Sequence, residues 1–167
     1  MPGYAALITA VAAERLVELV VSERNLRWSK ANGGKEFGAQ HYPVMVTLHS
    51  GLLVGSVLEA RRRRFRPALG WPMLTVVLAA QGLRWWCITT LGRQWNTRVV
   101  VIPGAARIVR GPYRLIPHPN YLAVVAEGAA LPLVGGAWIT ALVFSVANAA
   151  LLRVRIRVEN KALQGLM

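Results

Sequence analysis

Polar and apolar residues fall into long blocks along this chain. Residues 2–21 are apolar apart from Glu14, Arg15 and Glu18, and residues 22–41 are polar, with a break at Gly33-Gly34. Residues 42–58 are apolar around His49, and residues 61–66 form a basic turn closed by Pro67. Residues 69–91 are apolar around Gln81 and Arg84, and Trp85-Trp86 sit towards their end, as in an interfacial aromatic belt. Two further apolar runs, 120–134 and 135–152, are joined through Gly135-Gly136 with almost no polar loop between them. Apolar runs of this length span or nearly span a hydrocarbon core. The pattern predicts an all-α integral membrane fold with about five transmembrane helices. The last two form a tight C-terminal hairpin.

The connecting segments carry the remaining signals. Residues 92–119 hold Arg93, Arg98, Arg107, Arg110 and Arg114, with the turn formers Pro103-Gly104, Gly111-Pro112 and Pro117. Val99, Val100, Val101 and Ile102 make a short β-like run, which is expected to stay out of a sheet. Residues 153–167 read as a basic amphipathic helix. Leu152, Ile156 and Leu163 can share one side, and Arg155 and Glu159, four apart, can meet on another. The whole chain, 1–167, reads as one domain, with N-terminal helices over 1–91 and a loop, hairpin and final helix over 92–167. The N-terminus lacks a basic leader, so no removable signal peptide is expected.

Composition supports the membrane reading. Of 167 residues, 54% are hydrophobic and 16% charged, too few charges to coat a small soluble domain. The net charge of +13 can mark a nucleic-acid binder. Here the basic residues lie between apolar runs, where anionic lipid headgroups and the positive-inside rule place them, and no nucleic-acid motif accompanies them. Membrane lipids are therefore the expected partner and nucleic acid is not. With five crossings, the connections on the side of the C-terminus carry 13 Lys and Arg, against five in residues 61–66. That side is expected to face the cytoplasm, although the basic turn at 61–66 runs against it. The lone Cys87 allows no internal disulfide and reads as a small buried apolar residue.

Candidate chemistry gathers around the hairpin. Tyr113, His118, Asn120, Tyr121, Arg155 and Glu159 would suit a polar small molecule held at the membrane edge. Each also has a plain structural reading, as belt aromatics, an interfacial histidine or a solvated helix pair. His49, Gln81, Arg84 and Glu127 lie within apolar runs, where a buried interhelical hydrogen bond or ion pair explains a polar residue as well as an acceptor site does. Glu36 and His41 could cover a ligand from the first polar loop.

The order and spacing of these residues carry a resemblance. Gly111-Pro112-Tyr113, then His118-Pro119-Asn120-Tyr121, then a membrane hairpin, then Arg155-Ile156-Arg157-Val158-Glu159 resembles the isoprenylcysteine carboxyl methyltransferase family of integral membrane methyltransferases. Two positions depart from its pattern. Pro117 stands where many relatives have Arg, and Asn160 where a second acidic residue is common. In the N-terminal half, Arg15-Leu16-Val17-Glu18-Leu19, Ser22-Glu23-Arg24-Asn25, Gly33-Gly34-Lys35-Glu36-Phe37-Gly38 and His41-Tyr42-Pro43-Val44-Met45 resemble the small bacterial branch that accompanies type III polyketide synthases and O-methylates long-chain alkylpyrones.

The resemblance implies S-adenosylmethionine as cofactor, bound in a cytoplasmic loop. It implies that Ile108, Val109 and Tyr113 line the cofactor and that His118, Pro119, Asn120 and Tyr121 wrap it. Glu159 would bind its polar end, and Arg155 would contact a lipophilic acceptor. Arg155 and Glu159 are then the catalytic pair, no metal is expected, and the protein sits in a bacterial inner membrane. An alkylpyrone is the first acceptor expected, with a type III polyketide synthase as pathway partner. A prenylcysteine-like carboxylate comes second and a phospholipid amine third. The competing class is a non-catalytic lipid-binding or scaffold protein of the membrane.

Overall fold

The structure, a computed structural model, describes residues 2–166. It contains five helices: α1 (Pro2–Ala31), α2 (His41–Ala60), α3 (Pro67–Leu91), α4 (Pro119–Val134) and α5 (Trp138–Leu166). α2, α3 and α5 are long and apolar enough to cross a membrane. Their outward faces expose large apolar side chains, among them Val54, Trp71, Leu78, Leu142 and Val146. Such a surface is stable against lipid and not against water. At 16 residues α4 rises about 24 Å, short of a full hydrocarbon core, and it is the most enclosed of the helices. The bundle is the all-α membrane fold that the apolar blocks predict.

Local sequence explains where the helices begin and turn. Pro67 and Pro119 occupy the first turns of α3 and α4, where a missing N–H leaves nothing unsatisfied. The α4–α5 turn closes tightly: Gly136 takes a positive φ of 75°, and Ala137 N–H donates to Pro132 O at 2.9 Å. Glu59, from the end of α2, accepts the N–H groups of Ile139 at 3.2 Å and Thr140 at 2.8 Å. A carboxylate from another helix thus caps the start of α5. At Gly128 the two hairpin helices come so close that any Cβ would collide with the Phe144 ring.

Read along α1, the interior is layered. Ile8 and Val11 join Val77, Ala130, Leu131 and Val134 in an apolar cluster at one end. Arg15 and Glu18 sit in a buried ionic layer with Arg84 of α3 and Glu127 of α4. Arg15 pairs with Glu127 at 2.8 Å and also with Glu18; Arg84 pairs with Glu127 at 2.5 Å and faces Glu18 at 3.6 Å. Glu14 is bonded by Gln81 and by the Trp85 indole. Further along, Ser22 bonds Asn96 and Thr97, and Asn25 donates to Trp95 O at 2.7 Å. These contacts hold α1 against the segment that follows α3.

The structure departs from the sequence reading at three places. α1 continues to Ala31, well past the onset of charge at residue 22. Helix bonds do not stop at the membrane surface, and the overhang is anchored to residues 92–97. The run at 99–101 does enter a sheet: β1 (Lys35–Phe37) pairs antiparallel with β2 (Val99–Val101), Glu36 opposite Val100. Finally, residues 153–166 are not a separate helix but the continuation of α5. The basic turn at 61–66 meets the α4–α5 turn, with Gly136 against Arg63 and Arg64, at the end of the bundle away from the sheet.

Candidate functional site

A cavity of about 270 Å³ opens at the sheet end of the bundle. α5 supplies one wall. Asn148, Leu152, Arg155 and Glu159 recur at intervals of four, three and four, so they share one helical face. The opposing wall is Met45, Val46, His49, Ser50 and Leu53 of α2, and β2 forms the roof. Arg15, Glu18 and Arg84 of the ionic layer form part of the lining.

The start of α4 positions the most polar corner. His118 is the residue before Pro119, and its carbonyl accepts the Tyr121 N–H at 3.1 Å. The His118 and Tyr121 rings stack with centroids 5.5 Å apart. The Tyr121 hydroxyl donates to Glu159 at 2.6 Å, and His118 Nδ1 lies 3.6 Å from the same carboxylate. His118 Nε2 meets Asn160 Oδ1 at 3.1 Å, so the amide at a position often acidic in the family supplies the second acceptor for the ring. The Glu159 carboxylate beside it holds the His118 pKa above its ordinary value.

Arg155 is placed differently. It is 6% exposed, and it does not pair with Glu159. Its guanidinium donates to Thr97 O at 2.7 Å and to Met45 Sδ at 3.4 Å. Among the described residues no carboxylate lies within ion-pair distance of it. The plain structural alternative, an Arg155–Glu159 pair on a solvated face, does not form: both side chains line the cavity and bind other groups. A buried guanidinium held by a carbonyl and a thioether keeps an uncompensated positive charge, and that favours an anion in the cavity.

Most of the residues singled out from the sequence come together. Tyr113, His118, Asn120, Tyr121, Arg155 and Glu159 all line the cavity. A second, smaller cavity of about 150 Å³ shares Tyr113, His118 and Glu159 with it and is also lined by Ile108 and Pro117. Gly111, at a φ of 56°, opens the turn that presents Tyr113; a Cβ there would press on Thr90. Burial pushes the Tyr113 phenol well above its usual pKa. Two residues do not line either cavity. Val109 is 64% exposed and is in the lining of neither. Pro119 is fully buried and serves as the first residue of α4.

The other candidates have structural partners. Glu36 pairs with Arg98 at 2.8 Å across the sheet, and Arg98 covers the Tyr42 ring. Glu127 and Arg84 belong to the ionic layer, and the Cys87 thiol is buried. Asn148 is a cavity residue that the sequence reading passed over. It is 2% exposed, its Oδ1 has no hydrogen-bond partner, and it lines the cavity, as does the Oδ1 of Asn120. It was legible in principle, as a lone amide in an apolar run seven residues before Arg155.

Comparison with known proteins agrees with this geometry. The model of the isoprenylcysteine carboxyl methyltransferase family matches residues 73–165, a stretch that runs from α3 through the loop and hairpin to the end of α5. The chain is 38% identical over 159 residues to Uncharacterized protein YpbQ of Bacillus subtilis (strain 168), which covers 95% of each chain. No solved structure matches. The matched region holds the His118–Tyr121–Glu159 corner and Arg155, and the chain belongs to the isoprenylcysteine carboxyl methyltransferase family, as an integral membrane methyltransferase.

Proposed function

We propose that this protein transfers a methyl group from S-adenosylmethionine to an oxygen of a lipophilic acceptor that enters from the bilayer. The observation that supports the reading most directly is the contrast on α5: Glu159, a carboxylate in an aromatic corner, and Arg155, a buried cation with no anionic partner, line one cavity.

The residues fit the cofactor. Its amino-acid end needs a carboxylate for the ammonium, and Glu159 offers one beside His118. Its adenosyl end needs apolar walls, and Ile108 and β2 supply them, with the side chains of Asn120 and Asn148 in the cavity lining. Tyr113 and Tyr121 place aromatic rings around the cavity, and aromatic faces favour cations such as a sulfonium. When bound, the cofactor supplies an electrophilic methyl group for an in-line displacement.

The chain's own residues then orient and shield. Arg155 holds the acceptor oxygen as it carries negative charge, without being deprotonated itself. Thr97 and Met45 fix the direction of the guanidinium, which matters because small misplacements are costly in a displacement. The sheet roofs the cavity and keeps water from the reacting atoms. The site faces the cytoplasm of a bacterial inner membrane in this reading, on the side where the basic connections lie.

The first acceptor proposed is an alkylpyrone enol, with a type III polyketide synthase upstream. Purified protein should transfer label from methyl-labelled S-adenosylmethionine to a long-chain 4-hydroxy-2-pyrone in mixed micelles. Labelled product from the wild type and about 10²-fold less from Arg155→Ala supports the reading. An inert wild type with this pyrone excludes alkylpyrones and moves the search to carboxylates.

A further inference from the structure

His49 lies in the middle of α2, on the wall of the cavity that faces α5, one turn from Met45. Nothing in the reaction described so far uses it. Its Nδ1 is 2.9 Å from the Met45 carbonyl oxygen. A carbonyl can only accept, so Nδ1 carries the proton, and in a neutral ring Nε2 is left as a lone-pair acceptor. Among the described residues none hydrogen-bonds Nε2. It is not sealed from the cavity in the way that the partnerless Nδ1 of His41 is sealed.

Two contacts fix the ring. The backbone bond to Met45 sets its tautomer, and Phe144 packs edge-on at 5.2 Å between centroids. The same Met45 touches Arg155 through its sulfur, and His49 and Arg155 both line the cavity. Charged groups near the ring come from every neighbouring element: Arg15 of α1, Arg84 of α3 and Glu127 of α4, already paired with one another. They leave the lone pair of His49 unoccupied.

We propose that His49 is the general base of this site, taking the proton of an acceptor hydroxyl as that oxygen is methylated. This rests on the methyl-transfer reading above and adds a second acceptor class to the alkylpyrone. A carboxylate or a strongly acidic enol reaches the site already ionised and needs no base. A built-in base fits a hydroxyl that is still protonated at neutral pH, such as a long-chain phenol. In the step, the O–H bond breaks and its proton goes to Nε2. The acceptor oxygen forms its bond to the methyl carbon, and the sulfur–methyl bond breaks with its electron pair left on sulfur. The imidazolium later returns the proton to water.

The test compares a dodecylphenol, whose hydroxyl ionises near tyrosine's value of about 10, with a long-chain 4-hydroxy-2-pyrone that is anionic at neutral pH. Wild type and His49→Gln are used, with S-adenosylhomocysteine calorimetry as the control for folding and cofactor binding. The wild type is expected to methylate the phenol. His49→Gln should lose about 10²-fold or more in kcat on the phenol and much less on the pyrone, with unchanged S-adenosylhomocysteine affinity. His49→Ala should regain phenol turnover with added imidazole. A second readout needs no turnover: a dodecyl-nitrophenol bound with S-adenosylhomocysteine should turn yellow at lower pH in wild type than in His49→Gln. Equal losses on both acceptors, or an unaltered nitrophenol titration, would overturn the role of His49. A wild type inert towards the phenol would overturn it as well. Failure of the wild type to bind S-adenosylhomocysteine would instead remove the methyl-transfer reading beneath it.

Discussion

The ionic layer of Arg15, Glu18, Arg84 and Glu127 and the cavity end at buried Arg155 and half-buried Glu159 are both polar clusters in an apolar bundle, but they satisfy their charges differently. In the layer, each arginine meets carboxylates from other helices and Glu127 meets both arginines. At the cavity end, Arg155 donates to a carbonyl and a thioether with no carboxylate within ion-pair distance among the described residues, and Glu159 accepts from a tyrosine and faces a histidine. Buried polar groups are normally satisfied, and those left open need an explanation. The layer explains itself as glue between α1, α3 and α4. At the cavity end the Arg155 charge is left without a carboxylate partner among the described residues.

This contrast makes ordered predictions. Glu127→Ala should have the largest effect, since it leaves two buried arginines short of a partner. A loss of about 3–5 kcal/mol is expected from breaking such a cluster, read by thermal unfolding in detergent. Arg155→Ala should leave the melting temperature nearly unchanged and lower methyl transfer about 10²-fold, as removal of a group that stabilises developing charge does. If Arg155→Ala melted as early as Glu127→Ala, the two clusters would be alike and the contrast would fail. Tyr121→Phe removes the hydroxyl bonded to Glu159 and should weaken S-adenosylhomocysteine binding about tenfold, or roughly 1.4 kcal/mol.

The smallest effect concerns pH. The folded-state pKa of His118 is raised by the Glu159 carboxylate beside it, so the folded protein holds that proton more tightly than the unfolded chain does. The stability it contributes is complete below the unfolded value near 6.5 and is lost as pH rises through the folded value. For a partly exposed pair the amount is under about 1 kcal/mol. Melting of the ligand-free protein should decline over that window in the wild type and stay level there in His118→Gln.

Much of the bundle was legible in the sequence because lipid imposes a simple demand, a block of apolar residues for each helix. What the blocks do not encode is which side of a helix faces inward once it leaves the membrane. Arg155 and Glu159 have the spacing of a solvated pair, yet the continuation of α5 against Met45, Thr97 and Tyr121 turns both into the cavity. The sheet was illegible for another reason: its strands lie far apart in the chain, and two three-residue strands carry little pattern of their own. His118, Asn120, Tyr121 and Tyr113 were found through motif order, which survives where burial cannot be read. Val109 lies in the same loop but lines neither cavity.

The central claim is that the open cluster is a cofactor site, and calorimetric titration of the purified, detergent-solubilised protein with S-adenosylhomocysteine tests it most directly. Saturable binding to the wild type, weakened at least about 30-fold (some 2 kcal/mol) in a Glu159→Ala protein that melts like the wild type, is the predicted result. A wild type that binds nothing, or a Glu159→Ala protein that binds as tightly as the wild type, would contradict it.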